Sequence, residues 1–300
     1  MTTRIHPAGQ PLAAATEAPR LVDEQWLSKA DERTVRILDV RWYLQGKSGR
    51  EEYARGHIPG AVFVPLEDIT AEQGPGRHPI PGPERFAEAM RDAGVSAETH
   101  VVAYDDAGGS IAARLLWLLR RYGHTRASVL DGGLAAWTAA GLPVSVSVPK
   151  PARGDFASRP APHVSAVDSA YVNAARAGAE RGETLILDAR AAERYRGDVE
   201  PIDARPGHIP GAKNAPWSEN LRDGRFKTAG ELKAYYESLG AGRAGDVIVY
   251  CGSGVTACHD WLALELAGFT QVHLYEGSWS DWARDPALPA ATGSEASGSR

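Results

Sequence analysis

A run of four apolar residues, "VIVY" at 247–250, ends on Cys251. The next five residues are Gly252-Ser253-Gly254-Val255-Thr256, followed by the mostly apolar stretch "ACHDWLALELAG". That pattern reads as a strand, a tight loop and a helix. Two glycines in such a loop let the backbone curl so that its N–H groups face inward. A loop ending at a helix N-terminus also gathers positive potential at its centre. A thiol placed there is favoured in its anionic form, which is the nucleophilic one. A persulfide formed on Cys251 would be an anion held by the same N–H groups. The candidate site is therefore Cys251, with Gly252, Ser253, Gly254, Val255 and Thr256 around it. The other cysteine, Cys258, falls two helical turns on, beside Trp261 and Leu262, and reads as core packing.

The elements that must position this loop occur twice. "ILDVR" at 37–41 returns as "ILDAR" at 186–190, and "GHIPGA" at 56–61 returns unchanged at 207–212. "VVAYD" at 101–105 returns as "VIVYC" at 247–251, and "GGLAAW" at 132–137 as "GSWSDW" at 277–282. Four blocks in one order, offset by 145 to 151 residues, make the chain two copies of one domain. In each copy short β-branched runs alternate with helical stretches closed by glycine, "SIAARLLWLLRRYG" and "VTACHDWLALELAG". The fold class is α/β: two tandem domains, each a mostly parallel sheet with helices on both faces. The copies span residues 20–145 and 166–287. Between them, 146–165 reads as an extended linker, with prolines at 149, 151, 160 and 162. Ligands of open parallel sheets bind beyond the carboxyl ends of the strands. One copy delivers Cys251 to that place and the other delivers Asp105.

Composition narrows the class further. A net charge of −5 with no long basic run argues against nucleic acid as a partner. No apolar segment reaches the roughly 18 residues of a membrane span. The N-terminal "MTTRIHPAGQPLAAATEAPR" lacks the continuous apolar core of a signal peptide. Two cysteines seven residues apart form neither a disulfide framework nor a CxxC pair, so a reducing, cytoplasmic setting is expected. Residues 1–18 and 291–300 are expected to be poorly ordered. Cysteine, histidine and carboxylate residues are not clustered at zinc-like spacing, so no metal or other cofactor is implied.

The motifs "CGSGVTACH", "DGGLAAW", "EGSWSDW" and the doubled "GHIPGA" resemble those of tandem-domain rhodanese-like sulfurtransferases, over nearly all of residues 20–285. The resemblance implies a catalytically inactive N-terminal domain. It also implies a C-terminal domain whose cysteine cycles between thiol and persulfide, taking sulfur from a small donor and passing it to a thiol or cyanide. In that family, cationic loops go with thiosulfate, whose departing sulfite is a dianion. The uncharged Gly252-Ser253 loop is more similar to that of 3-mercaptopyruvate sulfurtransferases, whose donor leaves as pyruvate. By the same resemblance, the Ser253 hydroxyl passes a proton to the departing enolate, and Arg194, before Tyr195 in "DARAAERYRG", binds the donor. Arg190 repeats as Arg41 and reads as structural. The family's second arginine, nine positions after the first, is here Asp203, which keeps thiosulfate open as a donor. Arg205, two residues on, is the alternative cation. His57 and His208 occur in both copies and read as architectural; Trp137 and Trp282 read as packing against the sheets.

Two rival readings stand. Phosphatases of a related fold place an arginine six residues after the nucleophile, where this chain has Ala257. A carrier that hands persulfide to a partner protein without turnover would use the same loop, but would release at most one equivalent of pyruvate. The conceivable acceptors are cyanide, glutathione and thioredoxin-like proteins.

Overall fold

The computed structural model describes residues 17–161 and 164–294. The terminal stretches beyond residues 17 and 294, and Pro162 of the linker, lie outside the described residues. The first sheet contains β1 (Leu21–Val22), β2 (Val35–Asp39), β3 (Val62–Phe63), β4 (His100–Tyr104) and β5 (Ala127–Leu130), in the order β1-β5-β4-β2-β3. The second contains β6 (Ala166–Val167), β7 (Thr184–Asp188), β8 (Ala212–Asn214), β11 (Asp246–Tyr250) and β12 (Val272–Tyr275), in the order β6-β12-β11-β7-β8. The order is the same, and every pairing in both sheets is parallel. A short hairpin, β9 (Leu221–Arg222) and β10 (Arg225–Phe226), stands apart from both sheets.

The central strands show why they read as unbroken apolar runs. Along β4, Val101 and Ala103 feed one core while Val102 and Tyr104 feed another. Along β11, Val247 and Val249 likewise part from Ile248 and Tyr250. Successive side chains point to opposite faces of a sheet, and here both faces are covered. Of the helices, α1 (Glu24–Leu27), α2 (Gly49–Arg55), α3 (Pro83–Asp92), α4 (Ala112–Arg121) and α5 (Gly133–Ala139) accompany the first sheet. The second has α6 (Ser169–Arg181), α7 (Ala192–Arg196), α8 (Ala229–Leu239), α9 (Ala257–Leu266) and α10 (Ser278–Trp282). The helices α4 and α9 pack against each other and are buried almost all round, as a helix enclosed by two sheets must be. Their side chains belong to one apolar cluster that joins the domains.

Each repeated motif builds the same small device twice. Asp39 and Asp188 hold Arg41 and Arg190 in buried bidentate ion pairs. Each arginine also donates to a main-chain oxygen, Gly56 at 2.8 Å and Gly207 at 2.7 Å. His57 and His208 stack on Tyr53 and Tyr195 at 3.9 and 3.8 Å, and each Nδ1 lies 2.8 Å from that tyrosine's carbonyl oxygen. These residues shape the turn that leads into the third strand of each sheet, β3 and β8. Trp137 and Trp282 are buried, and their indole N–H groups donate to Pro143 and Pro289.

Among its described residues the proline-rich connection has neither helix nor strand, yet it is packed. Phe156 is buried, and the amides of Gly154, Phe156 and Arg159 donate to carbonyls of Arg91, Val95 and Tyr122. Burying one phenylalanine is worth about 1.5–3 kcal/mol, so this segment fixes chain direction between the copies as well as joining them. Among the described residues, no helix is long and apolar enough to cross a membrane.

Candidate active site

Six residues, 251–256, turn the chain from β11 into α9. Gly254 adopts φ 77°, and a β-carbon there would stand 2.5 Å from the Glu276 carbonyl oxygen, so the turn requires glycine. Cys251, Ser253 and Val255 are buried, and Thr256 precedes the first helical residue. The Ser253 N–H donates to Cys251 Sγ at 3.5 Å. Of the expected inward amides of the loop, that of Ser253 is bonded to the sulfur, while the Cys258 and His259 amides in the first turn of α9 donate to the carbonyls of Val255 and Thr256.

The segment before and into α10 braces this loop from behind. Trp279 and Ser280 donate their amides to the carbonyls of Cys251 and Gly252 at 2.9 and 3.0 Å, and the Cys251 amide donates to Ser278 Oγ at 3.1 Å. Ser278 is held at φ 53°, a left-handed conformation that costs a serine on the order of 1 kcal/mol and persists where surrounding contacts demand it.

Two guanidinium groups flank the loop. A β-carbon on Gly252 would stand 2.9 Å from an Nη of Arg77 and 3.5 Å from an Nη of Arg194, so the glycine admits both cations beside the cysteine. Arg194 donates to Glu200 Oε1 at 2.7 Å and Asp203 Oδ2 at 3.2 Å, and Arg77 donates to Asp203 Oδ1. Burial raises the Asp203 carboxyl above its usual range, against the pull of Arg77. Burial acts the same way on Glu200, but Arg194 and the nearby amides outweigh it and hold that carboxyl below its usual range.

The first domain does more than support the second. Its segment 74–80 lies across the loop: His78 Nδ1 is 2.8 Å from Ser253 Oγ, the Arg77 amide donates to Ser280 Oγ at 3.1 Å, and the Ile80 amide donates to Glu276 at 3.3 Å. Burial, aided by Arg114 and Arg77, lowers the His78 pKa to about 4, so the ring is neutral at neutral pH. Arg114, fully buried at the start of α4, donates to the carbonyls of Gly254 and His78 at 3.2 and 3.1 Å. It places a cation beneath the loop. Sequence reasoning missed Arg77, His78 and Arg114. The available signals were "GPGRHPIPG", a basic Gly/Pro-rich stretch without a counterpart in the second copy, and an arginine set into the apolar "IAARLLWLL".

The other residues singled out in the sequence lie outside this cluster. Arg205 is not beside Cys251 as a second cation: its guanidinium donates to the carbonyls of Ala283, Leu288, Trp282 and Asp285 and ties down the chain after α10. Cys258 is fully buried and its thiol donates to the Gly254 carbonyl at 3.4 Å; burial pushes its pKa up to about 12. His208 is engaged with Tyr195, away from the loop. In the first domain, Asp105 accepts from four amides of its own loop.

Comparison with known proteins bears on this architecture. A family model, the rhodanese-like domain, matches residues 23–140 and again 172–285. This chain belongs to the rhodanese-like family. A rhodanese-like relative described as "Probable 3-mercaptopyruvate sulfurtransferase", from Pseudomonas aeruginosa, is 43% identical and covers 93% of this chain and 99% of its own. A second, "Putative thiosulfate sulfurtransferase SseB" of Mycobacterium tuberculosis, is 41% identical over 86% of this chain and 91% of its own. Among solved rhodanese folds, the crystal structure of SseA from Escherichia coli, described with the 3-mercaptopyruvate sulfotransferases, has a TM-score of 0.77 at 36% identity. It covers 87% of this chain and 99% of that one.

Proposed function

We propose that this rhodanese-like protein is a sulfurtransferase that takes sulfur from 3-mercaptopyruvate through a persulfide on Cys251. The observation that carries the reading is the grouping around one buried thiol: two guanidiniums suited to a carboxylate, and a serine hydroxyl bonded to a neutral imidazole. The Cys251 thiolate attacks the donor's sulfur atom, the carbon–sulfur bond breaks, and its electron pair leaves with the enolate of pyruvate. Ser253 gives its proton to the enolate carbon and is resupplied through His78, which exchanges protons with water. Arg194 holds the donor carboxylate, and Gly252, Gly254, Val255 and Thr256 shape the turn around the sulfur. An acceptor thiolate or cyanide then attacks the outer sulfur, the sulfur–sulfur bond breaks, and the Cys251 thiolate is restored. A thioredoxin-like protein is one acceptor of that chemistry, and the thiol-reducing conditions such a cycle needs fit a cytoplasmic setting.

Thiosulfate is the second reading, supported by the name of the mycobacterial relative. A side-by-side donor comparison on one preparation decides. With cyanide as acceptor, 3-mercaptopyruvate is expected to give multiple turnovers and the higher kcat/KM, and either donor alone should leave Cys251 heavier by about 32 daltons. A higher kcat/KM with thiosulfate would transfer the assignment to that donor. Release of no more than one equivalent of pyruvate would favour the persulfide carrier.

A further inference from the structure

We infer that Asp203 sets the charge of the donor site, with Arg77 of the first domain as its second cation, and thereby favours singly charged donors over doubly charged ones. The inference rests on the sulfurtransferase reading above. Arg77 and Arg194 both reach Gly252, and Asp203, 5% exposed, lies between them and bonds both. Arg77 is built into the site. Its amide is bonded to Ser280, and a β-carbon on the preceding Gly76 would stand 2.4 Å from the Gly277 carbonyl oxygen, so this loop is docked on the second domain.

The carboxylates come from an insertion. Between the stacked tyrosine and histidine, the second copy is nine residues longer than the first (Tyr195 to His208 against Tyr53 to His57), and the extra chain carries Glu200 and Asp203. Glu200 divides its oxygens between Arg190 and Arg194, while Arg190 is also paired with Asp188. Three arginines thus face three carboxylates, and the cluster is neutral before a donor arrives. A planar carboxylate still gains bidentate geometry from the guanidiniums. A dianion such as thiosulfate meets Asp203 with twice the repulsion. Removing that one charge acts on two donor charges in place of one, which shifts the ratio of donor efficiencies about tenfold.

The test uses the full chain at about pH 8, well above the usual carboxylate range, at fixed ionic strength with cyanide as acceptor. Asp203→Asn is expected to raise the thiosulfate to 3-mercaptopyruvate ratio of kcat/KM about tenfold, largely through KM. Asp203→Glu, which keeps the charge, should hold the wild-type ratio. Arg77→Ala should raise KM for both donors about tenfold with kcat less affected. Asp203→Ser serves if the Asn variant does not fold. A ratio unchanged within about twofold in the neutral variant, or both donors falling together with the melting temperature, overturns the inference. Either outcome leaves the sulfurtransferase reading intact, since that is measured on the wild type by its persulfide adduct. A wild type that takes sulfur from neither donor removes both.

Discussion

The loops after β4 and β11 occupy equivalent places in two copies of one domain, and they treat an anion differently. In the first, the anion is built in. The Asp105 carboxylate is fully buried and accepts from the amides of Ala107, Gly109 and Ile111 at 2.8 Å and of Ala112 at 2.9 Å. In the second, one residue shorter, the Cys251 sulfur accepts a single amide at 3.5 Å, and cations come from elsewhere: Arg77 and Arg194 beside it, Arg114 beneath. The first loop shows that this strand-to-helix turn can aim four backbone donors at one acidic group, whose pKa burial nevertheless raises above its usual range. The second keeps the turn and places a cysteine there, with the first domain contributing Arg77, His78 and Arg114 around it.

The comparison breaks most completely at the sulfur. Cys251→Ser should lower turnover about 10³-fold or more with either donor and abolish the persulfide adduct, with the circular dichroism spectrum unchanged. Residual turnover near wild type would remove Cys251 as nucleophile. The next largest effect concerns the hydroxyl and its partner. Ser253→Ala and His78→Asn should each lower kcat with 3-mercaptopyruvate about 100-fold. Thiosulfate turnover should change only a few-fold, because sulfite leaves without a proton being placed on carbon. Since burial lowers the His78 pKa to about 4, the ring stays neutral from about pH 5 upward and loses that form only as pH falls through about 4. The 3-mercaptopyruvate rate should therefore show no His78 inflection near 6.5. An inflection there that vanishes in His78→Asn would mean that the histidine works as a cation.

What the sequence made legible was whatever repeats or stays local. Four duplicated blocks carried the α/β class and the tandem arrangement. "VIVY" before glycines and an apolar helix placed Cys251 at a strand tip, because strand, turn and helix are neighbours in the chain. Arg190 and His208 read as architectural because they recur in a copy that has no cysteine, and both are found bonded to their own domain's backbone. Arg77, His78 and Arg114 escaped for the opposite reason. They lie 137 to 174 residues before the loop they serve, and no periodicity or spacing encodes how one domain docks on another. Arg205 stayed open as a second cation because its charge suited a donor, but within its own domain the chain after α10 gives it four carbonyls to satisfy.

The smallest expected effect on catalysis is also the sharpest check on the first loop. Asp105→Asn is nearly isosteric, so packing is preserved, but one acceptor oxygen becomes an NH₂ group facing buried N–H donors. Each pair of amides on Asp105 shares one oxygen, so two donors lose their partner whichever way the amide turns. Leaving buried donors unsatisfied costs about 1–3 kcal/mol apiece, and some local adjustment will recover part of it. A net loss of about 3 kcal/mol is expected, read as a lower urea midpoint by tryptophan fluorescence. Activity should move little, because Asp105 touches none of the residues around Cys251; kcat/KM is expected within about twofold of wild type. The first loop reaches the second domain through Gly108, whose carbonyl lies 3.1 Å from His259 Nε2 on α9. If the variant keeps its stability but loses turnover, that contact is transmitting the state of the first loop to the second. The two loops would then be one coupled unit, rather than a filled cradle beside a working one.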